Sequence, residues 1–220
     1  MQIIIGNVLS ADDLATIRAA LAKTAFVDGR RTAGFAARLV KNNRQAPSVG
    51  PTLEPARDLV AKRILANEVF ALAARPKALT PLLFSRTGKG MEYGTHVDDA
   101  LMRGVRTDVA FTLFLSHPKT YAGGELVIDG VGGEESYKLP PGSMIAYPAT
   151  TLHRVNKVTR GERLVCAGWA RSYVRDTAQR ELLFDLDTAR RRLFAREGKS
   201  TDFDLISKSV SNLLRMWADD

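Results

Sequence analysis

Apolar residues recur at helical spacing in two stretches near the start of the chain, over residues 14–25 and 53–72. Side chains three and four residues apart lie on one face of a helix, so both stretches predict amphipathic helices. Ser10 precedes the first stretch and suits the N-cap position. Residues 35–50 contain Asn, Pro and Gly instead, and predict a polar loop that can lie near a site without contributing to it. We therefore expect a helical supporting segment over residues 1–80.

Short strands replace the helices in the middle of the chain. Between residues 81 and 175, apolar runs are separated by Gly- and Pro-rich turns, and no helical run intervenes. The clearest runs cover residues 107–116 and 163–170. Many short strands joined by turns favour an antiparallel sandwich or jelly roll over a parallel sheet.

Helical spacing returns in the last part of the chain. Two runs, over residues 180–194 and 203–217, are separated by the polar residues 198–200. They predict a C-terminal helical segment over residues 176–220. Its apolar faces can pack on the sheet or on a second subunit, so a homodimer is one expectation.

The composition is that of a globular domain with a basic balance. The chain has 220 residues, of which 45% are hydrophobic and 25% charged, with a net charge of +8 and a pI of about 9.8. A basic protein attracts nucleic acids and other anions. The positive charge is spread along the chain, however, apart from residues 190–192 and Arg196. We therefore treat a basic module that binds nucleic acid or another anion as an alternative, and do not expect a nucleic-acid partner.

Cysteine content and hydropathy exclude other classes. The single cysteine, Cys166, excludes an internal disulfide and a zinc site made of four cysteines. No segment approaches the roughly 18 apolar residues of a membrane span, and the N-terminus lacks a secretory pattern. We expect a cytoplasmic protein without a membrane partner.

A histidine and an aspartate two positions apart are the first candidates for chemistry. On an extended strand alternate side chains face the same way, so His96 and Asp98 can bind one cation, whereas Asp99 should point away. Of the other two histidines, His117 lies in a predicted loop and His153 begins a later strand. Two histidines and one carboxylate suit ferrous iron in oxygen-activating enzymes. A zinc or manganese site with non-oxidative chemistry is the alternative.

Other side chains are candidates for the walls of the same cleft. Arg163 heads an apolar strand, where a guanidinium needs an anionic partner and can hold a carboxylate in bidentate fashion. Trp169 shares its strand parity and is a candidate for one wall. Tyr93 is a candidate neighbour of the metal site. Arg106 is a candidate for the substrate cleft, where it can pair with Asp108 at the mouth, or the two residues cap a strand.

Several segments, densest between residues 82 and 187, carry a resemblance to a known family. They cover residues 93–98, 112–116, 123–126, 141–148 with His153, 158–163 and 175–187. Together they resemble the bacterial PKHD-type hydroxylases, which are Fe(II)- and 2-oxoglutarate-dependent dioxygenases related to prolyl and lysyl hydroxylases. The resemblance implies a mostly β fold with flanking helices, in which residues 81–175 form a double-stranded β-helix, or jelly-roll, core.

The resemblance also implies roles for the candidate residues. His96, Asp98 and His153 would bind Fe(II), and Arg163 would bind the distal carboxylate of the co-substrate 2-oxoglutarate. The implied reaction is hydroxylation of a small molecule or a peptide side chain with O2, releasing succinate and carbon dioxide, with ascorbate as a candidate reductant. The carboxylate of Asp98 favours hydroxylation, because related halogenases lack it.

One position departs from the family pattern. Relatives often carry an aromatic residue after the arginine of the first core strand, whereas this chain has Thr87 after Arg86. A phenol at that place in the 2-oxoglutarate pocket is therefore missing. Tyr93 becomes the candidate phenolic neighbour of the co-substrate.

Overall fold

A computed structural model gives the fold of residues 1–47, 50 and 52–219. Residues 48, 49 and 51 of the predicted N-terminal segment, and residue 220 of the C-terminal one, lie outside this description. The α-helices are α1 (Ala11–Ala22), α2 (Glu54–Ala66), α3 (Glu68–Ala74), α4 (Thr177–Glu197) and α5 (Thr201–Trp217). None of the helices in the described part of the chain is both long and apolar enough to cross a bilayer.

Two antiparallel sheets occupy the middle of the chain. The strands are β1 (Ile3–Ile5), β2 (Val27–Asp28), β3 (Lys41–Asn42), β4 (Arg44–Gln45), β5 (Pro76–Leu79), β6 (Leu83–Gly88), β7 (Glu92–His96), β8 (Leu101–Met102), β9 (Val105–Arg106), β10 (Val109–Phe114), β11 (Leu126–Gly130), β12 (Gly133–Tyr137), β13 (Met144–Pro148), β14 (His153–Val155) and β15 (Glu162–Ser172). The larger sheet has the order β1-β13-β10-β15-β6-β4-β2, with β5 also paired to β15, and the smaller sheet has the order β12-β11-β14-β7-β3. Strands β8 and β9 form a separate hairpin.

Strand β10 explains why the larger sheet has apolar residues on both faces. Every residue of β10 is buried. Phe111 and Leu113 belong to the hydrophobic cluster that also contains Ile17 and Ile64 of the N-terminal helices. Phe114 belongs to the second cluster, which includes residues of the smaller sheet. Because alternate residues face opposite sides, a strand covered on both sides has a continuous apolar run rather than an alternating one.

The N-terminal segment is only partly helical. Strands β2, β3 and β4 lie in the stretch predicted to be a loop, and they extend the edges of both sheets. The predicted helix over residues 53–72 is two helices, because Asn67 adopts an extended conformation and caps α3 by accepting a hydrogen bond from the backbone N–H of Phe70. The prediction of a polar loop over residues 35–50 is therefore wrong. Lys41, Asn43 and Gln45 of this segment also line the cavity described below, so the segment contributes to the site.

The C-terminal helices pack on their own chain. Val174, Leu183 and Val210 form a small buried cluster between β15, α4 and α5. The carboxylate of Asp187 binds the guanidinium groups of Arg75 and Arg190. These contacts hold α4 against the N-terminal helices. The boundaries of the three predicted segments and the homodimer stay predictions.

Candidate metal centre

Two histidines and one aspartate from separate strands form a cluster. His96 ends β7 and His153 begins β14, and the two are direct partners in the antiparallel register. Asp98 follows β7 two residues later. The ligand atoms that the three side chains offer all lie within 4.8 Å of one another. The structure thus brings together the residues named from the sequence as metal ligands, and that role stays a prediction.

Local hydrogen bonds orient both imidazole rings. His96 Nδ1 lies 2.9 Å from the backbone oxygen of Gly94, and His153 Nδ1 lies 3.0 Å from that of Thr151. Because a carbonyl oxygen can only accept, each Nδ1 carries the proton and donates it. Each Nε2 then keeps a free lone pair. An outer hydrogen bond of this kind is the usual support of a metal-bound histidine.

The surroundings of His96 favour the neutral form of its imidazole. Burial, together with the neighbouring His153 and Lys41, lowers the pKa of His96 to about 3. Burial raises the pKa of Asp98, while His153 acts in the opposite direction. The Nε2 atom of His153 lies 3.7 Å from Oδ1 of Asp98, and both side chains are almost completely buried.

The donor set fits a divalent metal. Oδ2 of Asp98 is buried and has no hydrogen-bond partner. A buried polar atom without a partner is costly, and a cation that binds it removes that cost. Two imidazoles and one carboxylate are the set of protein ligands that non-haem iron oxygenases use.

Arg163 is buried in the same cavity without a counter-ion. Only 2% of its surface is exposed, and its Nε has no hydrogen-bond partner. No carboxylate of the described residues lies within ion-pair distance of its guanidinium group. The Cζ atom of that group lies 5.5 Å from the centroid of the Phe114 ring. Burial lowers the pKa of Arg163, but a guanidinium stays charged in proteins. A buried guanidinium without an ion-pair partner is suited to bind an anionic ligand.

A glycine gives Arg163 its space. Gly124 has a φ of +70°, and a Cβ there would lie 3.2 Å from Cδ of Arg163 and 3.2 Å from Cε2 of Tyr121. The hydroxyl of Tyr121 is buried and without a partner. Thr87 faces Arg163 across the β6–β15 register and is also buried. Thr87 and Tyr121 therefore place hydroxyl groups near the arginine.

Tyr93 and Trp169 line the cavity, as proposed from the sequence. The Tyr93 ring stacks on His96, with centroids 3.7 Å apart and an interplanar angle of 17°. The buried indole N–H of Trp169 has no partner of normal hydrogen-bond geometry. It is nevertheless close enough to Asp98 to lower the pKa of that carboxyl group, against the larger effect of burial.

Arg106 forms the ion pair with Asp108 that the sequence suggested. Arg106 is not among the residues that line the cavity. Its Nε donates a hydrogen bond to Asp108 over 2.8 Å and its Nη1 donates one to Asp219 over 2.8 Å, so the guanidinium links the β8–β9 hairpin to the C-terminal segment.

Asp99 lines the cavity, although strand parity predicted that its side chain points away from the metal site. The reason is that β7 ends before this residue, so strand parity no longer applies. His117 is exposed in a loop, as predicted.

Tyr147 and Lys41 are among the cavity residues that sequence reasoning missed. Tyr147 is buried beside His153, with ring centroids 5.3 Å apart, and burial raises its pKa well above the usual range. Lys41 lines the cavity from β3. Tyr147 lies in a segment that carried the family resemblance, but nothing in the local pattern distinguishes it from a core aromatic. The two-residue strand β3 has no sequence signal.

The cavity has a volume of about 110 Å³ and contains both the metal cluster and Arg163. Its walls come from both sheets, with Arg163 and Trp169 on β15 and His96 on β7. One cavity thus holds the two histidines and the aspartate, a guanidinium without an ion-pair partner among the described residues, and aromatic walls.

Comparisons with known proteins identify the relatives of the chain. Residues 82–171 match the 2OG-Fe(II) oxygenase superfamily, and residues 177–219 match the PKHD-type hydroxylase C-terminal domain. A PKHD-type hydroxylase from Picosynechococcus sp. is 54% identical over 98% of this chain and 98% of its own. Another from Acaryochloris marina is 52% identical over 100% of both chains.

Solved structures share the fold at low identity. A Pseudomonas putida prolyl-4-hydroxylase has a TM-score of 0.54 and 19% identity, over 78% of this chain and 92% of that chain. HygX from Streptomyces hygroscopicus, with nickel, 2-oxoglutarate and hygromycin B bound, has a TM-score of 0.55 and 16% identity, over 79% and 84%. These likenesses confirm the predicted fold class, mostly β with flanking helices around a jelly-roll core.

Proposed function

The chain belongs to the PKHD-type hydroxylases, which are 2-oxoglutarate- and Fe(II)-dependent oxygenases, and from this membership we propose that its cavity hydroxylates an organic substrate with release of succinate and carbon dioxide. One observation carries the proposal for this chain. The His96, Asp98 and His153 cluster shares a cavity with Arg163, a buried guanidinium that has no counter-ion among the described residues.

The proposed metal ligands are His96, Asp98 and His153. The bound Fe(II) would supply the oxygen-activating chemistry, coupled to decarboxylation of 2-oxoglutarate. Burial keeps the imidazole of His96 neutral, and hydrogen bonds from Nδ1 orient both rings with Nε2 free to bind the metal. The low pKa of His96 means that protons do not compete with the metal for this ligand at neutral pH.

Arg163 is the proposed anchor of the distal carboxylate of 2-oxoglutarate. A bidentate pair between a guanidinium and a carboxylate is strong and directional. It also supplies the anion that the buried arginine lacks. Tyr121 and Thr87 offer hydroxyl groups next to Arg163. Tyr121, rather than Tyr93, is then the phenolic neighbour of the distal carboxylate, and Tyr93 supports the metal ligand His96.

Aromatic side chains shield the reaction from water. Tyr93, Tyr147 and Trp169 line the cavity around the metal ligands. Excluding water strengthens the electrostatic interactions of the site and protects reactive species from side reactions. Shielding of this kind suits an oxidative reaction, because it favours reaction with the substrate over side reactions with water.

We propose two classes of substrate for the cavity. A Trichoplax adhaerens prolyl hydroxylase with similar fold was solved with a peptide fragment, whereas HygX was solved with hygromycin B. Both a peptide side chain and a small molecule are therefore proposed classes. A role for ascorbate as reductant and a cytoplasmic location stay predictions.

The test measures succinate and carbon dioxide formed from labelled 2-oxoglutarate by protein loaded with Fe(II), Zn(II) or Mn(II). We expect both products in equal amounts with Fe(II) and O2 only, and none from the Asp98→Ala variant. Absence of succinate with every iron-loaded preparation, together with turnover of a substrate by the zinc form, would contradict the proposal. It would favour the non-oxidative alternative.

A further inference from the structure

Lys41 is a buried cation that the proposed reaction does not use. It lies on β3 opposite Tyr93, and only 6% of its surface is exposed. Its ammonium donates one hydrogen bond, to Oγ1 of Thr32 over 3.3 Å, and lies 4.8 Å from the centroid of the Tyr93 ring. An ammonium group has three donors. A buried charge with so few partners indicates a missing anion.

The nearby carboxylates do not supply that anion. Asp98, Asp28 and Asp99 raise the pKa of Lys41, but burial outweighs them and lowers it to about 8. None of the three lies within ion-pair distance of Lys41. Asp28 is bound by the guanidinium of Arg30, with Nε 2.8 Å from Oδ2. Asp98 belongs to the metal cluster, and Asp99 is exposed beside Gly34.

The proposed cofactors do not supply it either. In the holoenzyme, the positive charges of Fe(II) and Arg163 are matched by the carboxylate of Asp98 and the two carboxylates of 2-oxoglutarate. Lys41 remains as an additional positive charge in the cavity. This step rests on the proposed function.

The position of Lys41 favours contact with the substrate rather than with 2-oxoglutarate. Arg163 enters the cavity from β15 in the larger sheet, whereas Lys41 enters from β3, the edge strand of the smaller sheet. The Tyr93 ring contacts both the Lys41 ammonium and the metal ligand His96. A group bound by Lys41 therefore lies about one aromatic ring away from the metal centre.

The surroundings of Lys41 are polar and basic. Asn43, Gln45 and Ser85 line the same part of the cavity. Arg31 and Arg38 are exposed on the segment that precedes β3 and form no ion pair within the described part of the chain. Exposed basic residues beside a cavity raise the local concentration of anionic ligands.

We propose that Lys41 binds a carboxylate group of the primary substrate and thereby selects acids over neutral molecules. The carboxylate can belong to a small organic acid or to the C-terminus of a peptide. Lys41 is a positioning residue in this proposal, since it holds the substrate and leaves oxygen activation to the metal centre.

The experiment compares matched acids and amides by ligand-observed NMR. The ligands are benzoate, N-acetylproline and the tripeptide Gly-Pro-Gly, each with its carboxamide, and methyl phosphate. Each is titrated anaerobically into the Fe(II)- and 2-oxoglutarate-loaded protein. The variants are Lys41→Met, Lys41→Arg and the control Lys89→Met, which changes an exposed lysine in a turn.

We expect at least one acid to bind about tenfold more tightly than its amide, because a hydrogen bond between two charged groups is stronger than one to a neutral amide. This preference should vanish in Lys41→Met and persist in Lys41→Arg and Lys89→Met. Preference for benzoate or N-acetylproline would indicate a small acid, and preference for the tripeptide a peptide C-terminus.

Three results would overturn the proposal. They are equal binding of acids and amides, an acid preference that survives Lys41→Met, and tighter binding of methyl phosphate than of any carboxylate. A tenfold loss of 2-oxoglutarate affinity in Lys41→Met would also overturn it, since Lys41 would then serve the co-substrate. Because binding is read without turnover, failure here is distinguishable from failure of the proposed oxygenase reaction.

Discussion

The ring of Tyr93 stacks on the imidazole of His96 although the two residues are three positions apart on one strand. In a regular strand, residues three apart face opposite sides. Here the register shifts between β7 and β14: His153 faces His96, whereas Val155, two residues on, faces Tyr93. At this irregularity the phenol and the imidazole lie on the same face, where the two rings stack.

Removing the Tyr93 ring should therefore weaken metal binding. We expect Tyr93→Ala to lower the affinity for Fe(II) about tenfold, as for other residues that support a metal ligand. Tyr93→Phe keeps the stacked ring and should bind Fe(II) like the wild type. The affinity is measured by anaerobic competition with a coloured chelator. Equal affinities for wild type and Tyr93→Ala would show that the stacking does not position His96.

We expect the buried carboxylate of Asp98 to destabilise the metal-free protein. Its Oδ2 atom is buried without a partner, and a buried charge without a partner is unfavourable. We expect Asp98→Asn to raise the free energy of unfolding of the metal-free protein by about 1 kcal/mol, while stoichiometric Fe(II) binding is lost. Urea denaturation with a chelator present measures the first effect, and iron analysis the second. A less stable Asp98→Asn protein would contradict the account.

Substituting Arg163 should act on 2-oxoglutarate and leave the metal in place. Arg163→Met removes the counter-ion of the distal carboxylate, and such a loss at a buried pair costs about 2–5 kcal/mol. The dissociation constant for 2-oxoglutarate should then rise at least about 30-fold by isothermal titration. Fe(II) affinity is the internal control. A fall in Fe(II) affinity with unchanged 2-oxoglutarate binding would reverse the assignment.

Gly124 offers a subtler test of the same pocket. A Cβ at this position would contact Arg163, Tyr121 and Val158, with the nearest atom 2.8 Å away, and its φ of +70° disfavours any side chain. We expect Gly124→Ala to weaken 2-oxoglutarate binding about tenfold through displacement of Arg163. Gly104→Ala, at a glycine with a φ of +80° and no atom within 4 Å, is the matched control. Unchanged 2-oxoglutarate affinity in Gly124→Ala would show that the arginine adapts.

We expect the carboxylate of Asp13 to make a pH-dependent contribution to the free energy of unfolding. Its carboxylate accepts a hydrogen bond from the backbone N–H of Ser10 and two from Arg63, at 2.9 Å each. The Arg63 hydrogen bonds, and then the Ser10 backbone hydrogen bond, lower the pKa of Asp13 to about 2. Since the folded-state pKa lies below the unfolded value, the stabilisation is present above about pH 4 and is lost as pH falls towards 2.

We therefore expect Asp13→Asn to lower the free energy of unfolding at pH 7 by about 1 kcal/mol. The difference from the wild type should shrink as the pH falls towards 2. Urea denaturation across this range measures it, with the exposed neighbour Asp12→Asn as control. A difference that is constant with pH would show that the carboxylate charge is not the cause.

The proximity of His96, Asp98 and His153 was predictable although the His-x-Asp triplet is a weak signal by itself. His96 and Asp98 follow from strand parity, and His153 from its place at the start of a later strand. Arg163 was predictable because a charge at the head of an apolar strand needs a partner. Family resemblance then supplied the roles, and the fold class and the enzyme class are confirmed.

Other residues depend on contacts that no local pattern encodes. The Tyr93 stacking occurs where the register between β7 and β14 is irregular. Lys41 reaches the cavity only because a strand of two residues pairs with β7, a long-range contact without sequence signal. Arg106 is drawn away from the cavity by Asp219, which lies more than a hundred residues further along the chain.

The central claim is that His96, Asp98 and His153 hold Fe(II) while Arg163 anchors 2-oxoglutarate beside it. Its most direct test is an anaerobic titration of the Fe(II)-loaded protein with 2-oxoglutarate, following the visible absorption that arises when this acid chelates Fe(II). We predict that the absorption saturates at one equivalent, is absent in His153→Ala and requires far more 2-oxoglutarate in Arg163→Met. No absorption in the wild type, or an unchanged titration in His153→Ala, would contradict the account.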